Sequence, residues 1–104
     1  MADLELEKVL QDIITYTDSM LGNARSEHWD EVISIQQQRD ALIAVFFKDT
    51  GTMPEAVIAE KINYILCADQ EVISLGEQCR SALHADLKRL TQGRNAVKAY
   101  SGKL

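Results

Sequence analysis

The chain has 104 residues, enough for one domain with a modest core. Hydrophobic residues make up 46% and charged residues 26%, so it should fold, while one proline and five glycines exclude a turn-rich β architecture. The net charge of −5 is uneven: residues 1–31 hold eight acids and two bases, and residues 88–104 hold five bases and no acid.

That basic stretch is narrow and has Tyr100 as its only aromatic, which excludes a nucleic-acid surface of the usual kind. The N-terminal stretch is acidic and lacks the apolar run of a secretory leader, and no segment reaches the length of a membrane span. The sequence therefore points to a single helical domain, 1–104, in the cytosol.

A first helix is predicted over about residues 4–24. Leu6, Leu10, Ile13, Thr17, Met20 and Ala24 follow one another at steps of three and four and form one stripe. Val9, Ile14, Tyr16 and Leu21 widen it, and Gly22-Asn23 loosens the end. Ser26 is a candidate N-cap for a second helix, followed by the acids Glu27, Asp30 and Glu31. So short a break implies an antiparallel hairpin of helices.

The second helix is predicted over about 27–48, with Trp29, Val32, Ile33, Leu42, Ile43, Phe46 and Phe47 as its apolar members. Gln36 and Arg39 interrupt that stripe. Asp49-Thr50-Gly51 ends it, Gly51 being suited to the left-handed cap conformation. Thr52 and Glu55 then have capping-box spacing around Pro54.

The third helix, about 53–91, is the most informative element. Ile58, Ile62, Ile65, Val72, Cys79, Leu83 and Leu90 share one stripe, which Asp69 and Gly76 interrupt. A helix approaching ~55 Å has more apolar edge than two shorter neighbours readily cover. Two readings of Asp69 stand open: a slight rotation that takes it to solvent, or a specific polar contact with another helix or a partner. Gly76 is either a weak point or a place of close approach. After Gly93, residues 94–100 are expected to form a short fourth helix, with 101–104 frayed.

Chemistry-bearing constellations are missing from this pattern. His28 and His84 have no second metal ligand at helical spacing. No serine sits in a nucleophile elbow, no glycine-rich phosphate loop occurs, and the paired acids Asp30-Glu31 are neighbours that do not converge. Cys67 and Cys79 are about 120° and ~18 Å apart on one helix. They cannot bridge, and they read as small buried apolar residues in a reducing compartment. No catalytic residue, cofactor or metal is expected, which leaves partner binding.

Two segments carry a resemblance. Trp29-Asp30-Glu31-Val32 follows the hairpin turn, with Arg39-Asp40-Ala41-Leu42 further along the same helix. Ile65-Leu66, Asp69-Gln70-Glu71-Val72 and the terminal Gly93-Arg94-Asn95-Ala96-Val97-Lys98-Ala99-Tyr100 follow in order. Together they resemble the FliT family of bacterial flagellar proteins. The helices predicted above make an all-α bundle of three main helices plus a short last one. The resemblance implies a cytosolic type III export chaperone for the filament-cap protein FliD, in contact with the export-apparatus proteins FliI and FliJ. In some members it implies restraint of transcription through FlhC.

By the resemblance, Asp69 and Glu71 match the family's acidic pair and Tyr100 the tyrosine tied to partner choice. The expected partner-binding residues are Ile65, Asp69, Val72, Leu75, Cys79 and Tyr100. Val72, Leu75 and Cys79 read equally well as core beneath the last helix, or as an edge covered by a second copy in a weak homodimer. The rival from another class is a helical transcription regulator or adaptor without chaperone activity.

Overall fold

The structure, a computed structural model, describes residues 3–51 and 53–101, with side chains within 4–93. Three helices make up the fold: α1 (Asp3–Arg25), α2 (Trp29–Lys48) and α3 (Glu55–Ser101). The molecule is a rod of 78 × 21 × 20 Å.

The stripe of α1 is its buried face: Leu6, Leu10, Ile13, Thr17, Met20 and Ala24 are all buried. The Thr17 hydroxyl is satisfied locally, donating to the Ile13 carbonyl at 2.8 Å. Around this stripe two apolar clusters form. Leu6, Leu10, Ile13 and Phe46 make one, with Leu42, Ile43, Met53, Ile58 and Ile65 packed against it. Met20, Ala24 and Val32 make the other, with Trp29, Ile35, Val72 and Leu75 against it. Phe46 therefore meets the start of α1 and Val32 its end, so α1 and α2 are antiparallel. Asp18 accepts a hydrogen bond from the Tyr64 hydroxyl, and Arg25 donates to Glu71 at 2.8 Å. Both ties advance by seven residues in each helix, so α1 and α3 run parallel. Helix α1 packs on both others, while among the described residues no Cα of α2 comes within 8 Å of α3.

Long side chains span that wider gap. Arg39, which interrupts the apolar stripe of α2, is 4% exposed and lies seven residues from both Val32 and Phe46. Its Nη1 donates to Asp69 Oδ1 at 2.6 Å and its Nη2 to Asp69 Oδ2 at 3.1 Å. Its Nε and Nη2 also reach Asp40 Oδ1 at 3.3 and 3.1 Å. Of the two readings of Asp69, the polar contact with another helix is the one observed. Burial alone would push the Arg39 guanidinium below its ordinary value. Hydrogen bonds and charge from Asp69, then Asp40, outweigh that and hold it above. A value raised on folding contributes stability that is complete at physiological pH and lost only in strongly alkaline solution.

Two expectations about boundaries are corrected. The second helix begins at Trp29, with His28 rather than Ser26 at its N-cap and no side-chain cap bond. Helix α1 instead ends in a Schellman arrangement, in which the His28 amide donates to the Asn23 carbonyl at 2.8 Å and the Glu27 amide to Ala24 at 3.1 Å. This places Glu27 at φ 62°, a position that favours glycine. The separate last helix is also absent, because α3 continues through Gly93 to Ser101. A helical glycine costs only about 1 kcal/mol against alanine, and Lys88 to Gln92 and Arg94 to Lys98 include no proline.

Gly51 does take the left-handed conformation, φ 59°, with its amide donating to Asp49 Oδ1 at 2.9 Å. The pairing of Thr52 with Glu55 lies outside the described residues. Cys67 is exposed and Cys79 half-buried, and both are free thiols, so burial holds in part for one of the two.

Replacing Glu27 with glycine should raise unfolding free energy by roughly 0.5–1 kcal/mol, because the left-handed strain exceeds the gain in chain entropy; urea melts read this directly. Asp69→Ala should destabilise by about 1–3 kcal/mol, since Arg39 stays buried with only Asp40 beside it. The double variant R39M/D69L should recover most of that loss in a double-mutant cycle.

Candidate partner-binding surface

The two shorter helices have 23 and 20 residues, and α3 has 47. At 1.5 Å per residue α3 is ~70 Å long against ~35 Å for α1, so it runs on well past the end of the hairpin. The hairpin end sits beside Trp29 and Leu75. Beyond it, every residue from Ser81 to Gly93 is exposed. The apolar stripe nonetheless continues: Leu83, Leu87 and Leu90 are 59%, 61% and 70% exposed. Steps of four and three keep them on the line of Gly76 and Cys79.

Where this projecting arm leaves the hairpin there is a groove of about 360 Å³. Trp29 of α2 and Gly76, Cys79, Leu83 and Leu87 of α3 line it, with Arg80 and His84 along one side. Glu77, Arg80, Ser81 and His84 line an adjoining polar depression of about 550 Å³. The groove is open, mostly apolar, and wide enough for side chains of a docked helix.

Trp29 anchors it. Its ring lies over Gly76, so that a Cβ there would stand 3.8 Å from Cη2 and 3.9 Å from Cζ3. Those are ordinary contacts, so the packing does not require glycine. The Trp29 Nε1 is buried without a hydrogen-bond partner among the described residues. Such a group weakens a fold by about 1–3 kcal/mol.

Of the six residues expected at a partner site, Ile65 packs on the cluster around Phe46, and Val72 and Leu75 pack on the cluster around Met20. Asp69 is held by Arg39. Cys79 is on the groove, and the side chain of Tyr100 lies outside the described residues. The structure adds Trp29, Leu83, Leu87 and Leu90 to this surface. Leu83 and Leu90 already belong to the sequence stripe, and the signal that singles them out is helix length: the hairpin is too short to reach them.

A second apolar row borders the polar pair. Ile33, Asp40 and Phe47 stand seven apart, one residue along from the buried row Val32, Arg39 and Phe46, and both Ile33 and Phe47 are exposed. Leu66 and Ile73, on either side of Asp69, are exposed as well. Among the described residues no group of three or more His, Cys, Asp or Glu side chains is placed to hold a metal ion. No helix among them is long and apolar enough to cross a membrane.

A family model described as Flagellar protein FliT matches residues 7–102. No curated protein and no solved structure matches the chain.

Gly76→Ala should stabilise the fold by about 1 kcal/mol, through helix propensity and the new contact with Trp29. Thermal melts of the two proteins check this; a loss of stability would mean that the ring sits closer to the backbone than 3.8 Å allows.

Proposed function

This chain belongs to the FliT family of flagellar proteins, and we propose that it is a cytosolic flagellar export chaperone whose client is the filament-cap protein FliD. The client offers an amphipathic helical segment that lies along α3 from Cys79 through Leu83 and Leu87 to Leu90, with Trp29 at the inner end. The observation that carries this reading is the exposed leucine row on an arm with no neighbour of its own.

The physical logic is exchange of one apolar surface for another. A segment that would drive premature assembly is removed from water by the arm, in the manner of a helix seated in a groove. Fully burying a leucine is worth about 1.5–3 kcal/mol. Ordering a flexible client consumes about 2–5 kcal/mol of the gross interaction, so binding is moderate and release at the export gate is easy. Ile65, Asp69, Val72 and Leu75 serve this surface by fixing the inner half of α3 on the hairpin. Tyr100, in the last turns of α3, is a further contact through the family resemblance. The same reading gives the protein FliI and FliJ as export partners, and FlhC as a second partner through which it restrains transcription.

Titration with a FliD C-terminal peptide tests the proposal. The variant L83E/L87E should bind at least about tenfold more weakly, because two charges enter the apolar contact. Its melting temperature should stay that of the parent, since both positions are already exposed. Equal affinity of parent and variant, or no binding by the parent, would sink the site. Recovery of FlhC without FliD from the source cell would favour the regulator over the chaperone.

A further inference from the structure

The apolar edge of the arm has unequal borders. On one side Arg80, His84 and Lys88 follow at steps of four, so they form a single row beside Leu83 and Leu87. Neither Arg80 nor Lys88 has an ion pair among the described residues, although Glu77, one turn before Arg80, lines the same depression as Arg80 and His84. The other border is neutralised internally: Asp86 Oδ1 is 3.1 Å from Arg89 Nη2. Whatever covers this edge therefore meets leucines in the middle, a neutral pair on one side, and on the other Arg80 and Lys88, without an ion pair among the described residues.

We infer that the segment which docks here is an amphipathic helix carrying acidic residues at four-residue steps along one flank, set opposite Arg80, His84 and Lys88. The inference rests on reading the edge as a docking surface and adds the charge of its occupant. Opposite charges across a rim steer encounter and fix which way round a helix lies, while like charges reject it. The same row disfavours a second copy as occupant. In an antiparallel pairing of two arms centred on His84, Arg80 of one copy falls opposite Lys88 of the other, which sets like charge on like.

Two synthetic helical peptides of about 18 residues test this, sharing one leucine face and carrying either glutamate or lysine along the flank. Trp29 is the only tryptophan of the chain and lines the groove, so its fluorescence reports occupancy in the full-length protein. The glutamate peptide should bind about tenfold more tightly at low ionic strength, with the difference shrinking as salt is added. The double variant R80E/K88E, altered only at exposed positions, should reverse the preference. Equal affinities, or a preference unmoved by R80E/K88E, would overturn the charge inference while leaving the docking surface standing. Binding of neither peptide would overturn both. Sedimentation without peptide closes the remaining case: a dimer dissolved by Leu87→Glu would show that a second copy covers the edge, and would overturn the inference.

Discussion

A buried arginine in the middle of a three-helix body sets the terms for everything else in this molecule. Arg39 is enclosed between two apolar clusters and is held by both oxygens of Asp69. Removing a guanidinium from water is expensive, and the pair offsets this only when its geometry is kept. Sliding α3 along the hairpin by one turn would break the bidentate contact and bring Arg39 against apolar side chains. The pair therefore fixes the register of α3, much as a single polar residue does in a coiled-coil seam. Register in turn decides which part of α3 is covered. With Asp69 opposite Arg39, Trp29 falls over Gly76, and Leu83, Leu87 and Leu90 are left exposed.

The arrangement is also asymmetric. Helix α1 is the shared partner, and α2 and α3 communicate through side chains reaching across a gap. Such a body needs one helix with a buried stripe along its whole length, which α1 has from Leu6 to Ala24, and tolerates mixed faces on the other two. This explains how α2 can bury Val32, Arg39 and Phe46 while exposing Ile33 and Phe47 one residue along. It also explains why long residues, an arginine and a tryptophan, do the bridging.

The stripe of α1 is legible from sequence, all six of its members being buried, because its spacing admits no other face. Gly51 is legible because few residues accept its conformation. The Schellman turn is not, since its bonds join backbone to backbone and Glu27 gives no hint of a left-handed position. Arg39 reads as an interruption because arginine is rarely buried. Its spacing of seven from Val32 and from Phe46 was the available signal, together with Asp69 on the facing stripe. Gly93 misleads for the opposite reason, since a glycine without a tertiary turn to occupy does not end a helix. At the candidate surface, periodicity identifies the edge of α3 correctly but does not say what covers each part of it. Ile65, Val72 and Leu75 lie against the hairpin, and Leu83 to Leu90 do not, a division set by the relative lengths of the helices.

The projecting arm has a consequence for how this protein can change over generations. Residues from Ser81 to Gly93 touch no core, so substitutions there leave folding almost untouched as long as the helix persists. Recognition can drift by altering leucines and their charged borders without first acquiring a compensating gain in stability. The body is constrained in the opposite way: a change at Arg39, Asp69 or Trp29 shifts register and moves the whole arm. One helix thus joins an anchor where substitutions unsettle the fold to a tip where they do not, and the boundary between the two regimes lies within a turn or so of Gly76.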